Sequence, residues 1–249
     1  MSATERIAAK LSQLTPRQIA HLEALADSFI TGTSWWANPK SDFANDGFAT
    51  EFGDLLLRHH NLSAEPISKD RFEYALIDVL NSLGHTAKKL PNGNPGEDMT
   101  VDNQRWSLKT QQNKDIKEAK IWISKFMELG KGAWTTVADV EALRERMFQH
   151  MTHYDRIFIL RCFRPHADQF DYELVEIPKS LLLSSKQFPI SIMENSRQNP
   201  KPARCEVSDA DGLAFSLYFD GGTERKLQIQ HLAKRNCLTH AKWNITVSA

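Results

Sequence analysis

The sequence predicts an α/β protein, with a central mixed β-sheet flanked by helices and a helical N-terminal region. Three features carry that expectation. Between residues 67 and 163 an amphipathic helix, a hairpin, a second helix and a buried strand follow one another, the alternation typical of α/β architecture. The 249 residues are 41% hydrophobic and 25% charged, a globular composition that excludes collagen-like, low-complexity and disordered classes. No repeat recurs at a fixed period, against a solenoid or propeller.

The elements follow in order. Leu11 to about Ile30 reads as helical, with Thr15-Pro16 placed as an N-cap followed by proline at the first helical position. Residues 31–50 are turn-rich and aromatic, and a short helix is expected around Glu51 to His60. Ser68 is the expected N-cap of a clearer helix. Phe72, Ala75, Leu76, Val79, Leu80 and Leu83 recur on one stripe, and Gly84 is its natural stop. Glu73 falls on the edge of that apolar stripe, an unusual place for a carboxylate.

Thr86 to Leu90 is expected to be extended, and PNGNPGED is a turn cluster. MTVDNQRWSLKT reads as a hairpin whose arms alternate around Asp102-Asn103-Gln104. A short helix is expected around Ile123 to Leu129, ending at Gly130. Val140, Leu143, Met147, Met151 and Tyr154 mark a longer one. RIFILRCF and FDYELVEIP read as strands, and Pro178 opens a short helix through Leu183. Residues 189–204 read as a loop, LAFSLYFD-GG-TERKLQIQHL as a second hairpin, and one more strand is expected near Trp243.

No apolar run approaches the roughly 20 residues of a membrane helix, and MSATERIAAK lacks the apolar stretch of a secretory signal. Cys162, Cys205 and Cys237 lie far apart, forming neither a disulfide framework nor a zinc knuckle. A reducing cytoplasm is the expected location, with no membrane partner. Thirty-one basic and 31 acidic residues cancel, but a zero total can hide a basic surface. Residues 41–54 hold four acids and no base; residues 105–131 hold seven bases against three acids; residues 197–242 hold eight against five. The last two windows suit phosphate binding.

Alternation in the first hairpin puts Ser107 and Lys109 on one face, away from Trp106 and Leu108. Asp98 and Thr100 share a face of the partner strand, so Asp98 and Lys109 can meet. A carboxylate beside a lysine at a strand end suits a divalent cation and a positioned water. Mg²⁺ takes oxygen ligands, and one or two carboxylates plus substrate phosphate suffice. The ordinary alternative is an exposed hairpin with an incidental Asp and Lys.

Pro95-Gly96-Glu97-Asp98 followed by Ser107-Leu108-Lys109 resembles the PD-(D/E)xK nuclease motif, for which a helical glutamate such as Glu73 is a usual companion. From about Phe48 to Trp243 the chain is also similar to the SmaI-type restriction endonucleases. That likeness is carried by NPGEDMTVD, SLKT, SKFMELGKG, YDRIFILR, VEIPKSLLL, NPKPA and SLYFDGGTERKLQI. The resemblance implies a restriction-endonuclease-like core. Its segments would be a helical region over 1–60, a nuclease core over 61–188 and a β-rich DNA-reading region over 189–249, within one compact unit.

Carried over by residue, Asp98 is the central metal ligand, Lys109 the catalytic lysine, and Leu108 offers its carbonyl to the metal. Ser107 departs from the pattern, standing where an acid is usual. Glu73 is the first choice to supply that acid, then Glu128, then Glu118 from the segment read as helical. The implied activity is Mg²⁺-dependent hydrolysis of double-stranded DNA at a short palindrome, CCCGGG cut to blunt ends, by a homodimer paired with a DNA methyltransferase. Ser107 keeps a DNA-binding protein without cleavage open, and the same core serves repair and junction nucleases.

A G·C-rich duplex is read by Arg or Lys at guanine O6 and N7. The expected readers are Arg225, Lys226, Gln228 and Gln230 on the second hairpin, with Arg197, Gln198, Lys201 and Arg204 on the preceding loop. Lys114, Lys117, Lys120 and Lys125 suit phosphates, which position a duplex without reading it. His150 and His153 have helical i, i+3 spacing but no completing ligand nearby. Gly130-Lys131-Gly132 is no P-loop, and Trp35-Trp36 reads as core or interface.

Overall fold

The computed structural model describes residues 1–31, 33–91, 96–113, 115–166 and 168–246. In chain order the N-terminal elements are α1 (Ala3–Leu11), α2 (Pro16–Thr31), β1 (Ser34–Ala37), α3 (Asp46–His60) and α4 (Lys69–Ser82). Then come β2 (Ala87–Lys89), β3 (Met99–Val101), β4 (Gln104–Gln111), β5 (Lys120–Glu128), α5 (Val137–Met151), β6 (Arg156–His166) and β7 (Gln169–Glu176). The C-terminal part holds α6 (Lys179–Leu183), β8 (Ile190–Ile192), β9 (Ala203–Asp209), β10 (Gly212–Phe219), β11 (Lys226–Ala233) and β12 (Leu238–Thr246).

Among the described residues the strands form two sheets, β1-β12-β7-β6-β4-β3-β2 and β5-β11-β10-β9-β8. β4 and β6 run parallel and their other pairings are antiparallel, so the larger sheet is mixed and the α/β expectation holds. Alternation along β6 shows the layering. Phe158, Leu160 and Cys162 join Phe48, Phe52, Phe72 and Leu76 of α3 and α4 in one core. Ile157 and Ile159 join Val140 and Met147 of α5 and the inner face of the smaller sheet in a second. The larger sheet is therefore covered by helices on one face and by α5 plus the smaller sheet on the other. Burying each of these large side chains contributes about 1.5–3 kcal/mol.

The first hairpin forms as the alternation predicts, with Met99 opposite Trp106 and Val101 opposite Gln104. Asp102 and Asn103 have φ of 47° and 70°, a two-residue turn with both central residues left-handed. Ser68 caps α4, its hydroxyl accepting from the Arg71 amide at 3.4 Å, and Gly84 follows at φ 91°. The second hairpin also forms, with Tyr218 opposite Gln228.

Four local expectations are corrected. Residues 123–129 are not helical: β5 runs through them, antiparallel to β11. The ladder slips, Ile123 facing Ile229 and Met127 facing Leu227. The extra residues turn a period of two into a spacing that imitates a helix. The N-terminal helix is two helices; α1 has its own capping box of Ser2 and Glu5, and the Thr15 cap starts α2 at Pro16. α3 begins earlier than expected because the Asn45 side chain accepts from the Phe48 amide at 3.0 Å. The loop read over 189–204 contains β8 and the start of β9, whose pairing is supplied by distant strands.

Trp35 and Trp36 are not core residues; they lie on the edge strand β1, 38% and 44% exposed. No helix among the described residues is long and apolar enough to cross a membrane.

Candidate active site

The first hairpin meets the N-terminal end of α4 at Asp98. The Asp98 amide donates to the Trp106 carbonyl at 2.9 Å, continuing the ladder one residue past β3. Its carboxylate then bends back into the backbone, Oδ2 accepting from the Leu108 amide at 2.6 Å. A charge-assisted bond of this kind fixes the carboxylate firmly. Strand residues direct N–H and C=O to the same neighbour, so the Leu108 carbonyl faces the Asp98 side of β4.

Trp106 and Leu108 are buried beneath α4, and Ser107 and Lys109 take the opposite face. Lys109 Nζ donates to Ser107 Oγ at 3.0 Å and lies 5.9 Å from the centre of the Phe126 ring. Burial pulls the Lys109 pKa down to about 8; the Asp98 charge opposes that shift and the Lys69 charge reinforces it. The Asp98 charge therefore lies close enough to act on the Lys109 ammonium from the neighbouring arm of the hairpin.

Glu73 joins them from α4. Its side chain is 4% exposed and accepts from Lys69 Nζ at 2.8 Å and Lys89 Nζ at 2.9 Å. The same Lys69 ammonium lies 2.5 Å from Asp98 Oδ1. Glu73 and Asp98 therefore converge on a single cation. Burial lowers the Lys69 pKa, but its hydrogen bonds to Asp98 and Glu73 outweigh that and raise it.

Among the described residues no group of three or more His, Cys, Asp or Glu side chains gathers to hold a metal. The donor set around Asp98 is two carboxylates and backbone, all oxygen. It suits a hard, partly hydrated cation such as Mg²⁺, which needs few protein ligands. The position is already tuned to positive charge, since an ammonium stands there.

Glu118 and Glu128 have other partners. Glu128 is exposed on β5 and pairs with Lys125 at 2.7 Å; Glu118 lies 3.6 Å from Lys234. Sequence reasoning does not single out Lys69 or Lys89, the cations that pair with these acids. Lys69 is legible as the i, i+4 partner of Glu73, whereas Lys89 comes to Glu73 through the fold: Asn81 of α4 holds both backbone groups of Ala87 and β2 pairs with β3.

α5 walls the site. Gly96 has φ 83°, and a Cβ there would lie 2.3 Å from His150 Nε2, so the hairpin approach rests directly on that ring. His150 Nε2 and the Tyr154 hydroxyl are buried without a hydrogen-bond partner among the described residues. Burial first, and then the Lys109 charge, hold the His150 pKa down at about 4.

The expected DNA-reading residues fall on the smaller sheet and its turns. Lys125, Gln198 and Arg225 line one open cleft of about 800 Å³. The Arg225 guanidinium donates to the carbonyls of Lys131 and of Gly132, the latter at 2.7 Å, so it braces the turn after β5. Gln230 donates to Gln228 at 2.9 Å, and Gln228 to Asp220 at 3.1 Å. Arg204 donates to Gln230 at 3.4 Å, while Lys201 pairs with Glu194 and Lys226 with Glu224. Arg197 and Gln198 are exposed. Lys117 and Lys120 are exposed beside a buried Arg161–Glu173 pair whose guanidinium holds both their carbonyls. Lys114 and Pro95 lie outside the described residues.

A model of the SmaI family, described as type II site-specific deoxyribonuclease, matches residues 7–245. The type II restriction enzyme SmaI of Serratia marcescens is 45% identical over 205 residues, covering 82% of this chain and 81% of that protein. No solved structure matches.

Proposed function

The chain belongs to the SmaI family of type II site-specific deoxyribonucleases, and from that premise we propose that it cleaves double-stranded DNA in a Mg²⁺-dependent reaction centred on Asp98, Lys109 and Glu73. The observation that carries this reading is the convergence of the Glu73 and Asp98 carboxylates on one cation beside Lys109.

In this reading Asp98, Glu73 and the Leu108 carbonyl would hold the metal. Bound there, Mg²⁺ supplies acidification of water and neutralisation of charge at the phosphate. Asp98 keeps its orientation through the Leu108 amide. Lys109, anchored on Ser107, orients the attacking water and offsets the negative charge that grows on the phosphoryl oxygens. Water attacks phosphorus in line as its proton passes to solvent, the P–O3′ bond breaks with its electron pair on the 3′ oxygen, which takes a proton from solvent, and the products carry 5′ phosphate and 3′ hydroxyl. Ser107 cannot ligate as a carboxylate would, so Glu73 takes the second acidic position.

The finer proposals are a homodimer, since a palindrome matches two-fold protein symmetry, and recognition of CCCGGG with a central blunt cut. Arg197, Gln198, Lys201, Arg204, Arg225, Lys226, Gln228 and Gln230 form the reading surface, and Lys117, Lys120 and Lys125 contact phosphates. A cognate methyltransferase would protect host DNA, and the cytoplasm is where both would act. Digestion of a plasmid of known sequence, with and without Mg²⁺, tests the reading. Discrete blunt fragments that need Mg²⁺ support it. Nicks, structure-dependent cuts, or a gel shift without cleavage would replace it.

A further inference from the structure

A cation, the Lys69 ammonium, stands between the two acids. We propose that the Lys69 ammonium is a resident counter-ion that holds Glu73 and Asp98 together in the metal-free protein and is displaced by the arriving divalent cation, so that Lys69 sets the metal affinity. The inference rests on the reading of Asp98 and Glu73 as the metal-holding carboxylates.

Four observations support it. Lys69 Nζ touches both acids at once, at 2.8 Å and 2.5 Å, so ammonium and metal would compete for the same oxygens. Glu73 is nearly fully buried, and an uncompensated buried carboxylate is strongly unfavourable; some cation must therefore accompany it. Lys69 is also the first residue of α4, where positive charge opposes the helix dipole. Its place is explained by the acids it bridges rather than by the helix it begins. Finally, its side chain is 39% exposed, so the ammonium can withdraw into solvent without unpacking the core. Lys89 differs: it touches Glu73 alone, at 2.9 Å, and can stay in place as a metal binds.

The test measures binding of Mg²⁺ or Ca²⁺ alone, without DNA, by titration calorimetry on the full chain. Lys69→Met removes the competing charge and should bind the ion about tenfold tighter or more, the scale of one charge-assisted interaction. Lys69→Arg should stay near wild type. In the wild-type protein, amine labelling read by mass spectrometry should show Lys69 becoming more reactive when the ion is added, a measurement that does not depend on any variant folding. Unchanged or weaker binding by Lys69→Met, or Lys69 reactivity unaffected by the ion, overturns the proposal while leaving the nuclease site intact. Asp98→Asn separates the two cases: if it binds the ion as well as wild type does, the assignment of the metal-holding carboxylates has failed, and the role of Lys69 with it.

Discussion

Ser107 accepts a hydrogen bond from Lys109 Nζ at 3.0 Å, two positions along one face of the same strand. Where the wider nuclease motif has an acid, this chain has a hydroxyl that receives the lysine. Glu73, the carboxylate proposed to stand in for that acid, lies four residues along α4 from the lysine that bridges it to Asp98.

Burial brings the Lys109 pKa to about 8. The proposed charge-offsetting role needs the ammonium, which is present below that pH and lost above it. The single-turnover cleavage rate should therefore fall as pH rises beyond about 8, and Lys109→Arg, if it retains measurable activity, should lack that falling limb. A rate that climbs steadily to pH 10 would assign Lys109 a different role.

Glu73→Gln leaves Lys69 and Lys89 facing a neutral amide and removes one proposed ligand. Cleavage should drop by at least about tenfold to a hundredfold, with a higher Mg²⁺ requirement. Glu128→Gln, altered on an exposed strand position, should cut at close to the wild-type rate. Parallel Mg²⁺ titrations of both variants check the order of the two acids.

The two proposed classes of DNA contact should differ in salt response. Arg225→Ala should weaken specific binding by roughly 1–3 kcal/mol, whereas Lys125→Ala should weaken all sequences alike and lower the salt slope by about one. Gel shifts at several salt concentrations, with specific and scrambled duplexes, separate them. Normal specific binding by Arg225→Ala would confine that residue to bracing the carbonyls of Lys131 and Gly132.

His60 should make part of the stability sensitive to acid. It stacks on Phe170 at 3.7 Å and meets the Tyr172 hydroxyl at 2.8 Å, and burial lowers its pKa to about 4. Between its ordinary value of 6.5 and about 4 the unfolded chain binds the proton and the folded chain does not. Stability therefore falls as pH drops through that window. His60→Gln should flatten the slope of unfolding free energy against pH there, measured by urea denaturation at each pH, even if its absolute stability is lower.

Local chemistry made much of this legible. The hairpin bringing Asp98 beside β4 is written in alternating apolar residues and the Asp102-Asn103 turn, and α4 in its stripe and its Ser68 cap. Glu73 stood out because a carboxylate on an apolar edge needs a partner. What stayed hidden depends on distant chain. β5 looked helical because a slipped ladder against β11 spaces Ile123, Phe126 and Met127 like a helix. β8 and β9 gain their partners only in the folded sheet. Lys89 reaches Glu73 through the docking of β2 on α4 and β3, and the internal bonds of Arg225 depend on the turn after β5. No local pattern announces such contacts.

The most direct test of the central claim is cleavage of a CCCGGG duplex by Asp98→Ala beside wild type, with and without Mg²⁺, together with a gel shift of the same duplex. The account predicts that wild type cuts only with Mg²⁺, and that Asp98→Ala shifts the duplex without cutting it. Cutting by Asp98→Ala at the wild-type rate would contradict it.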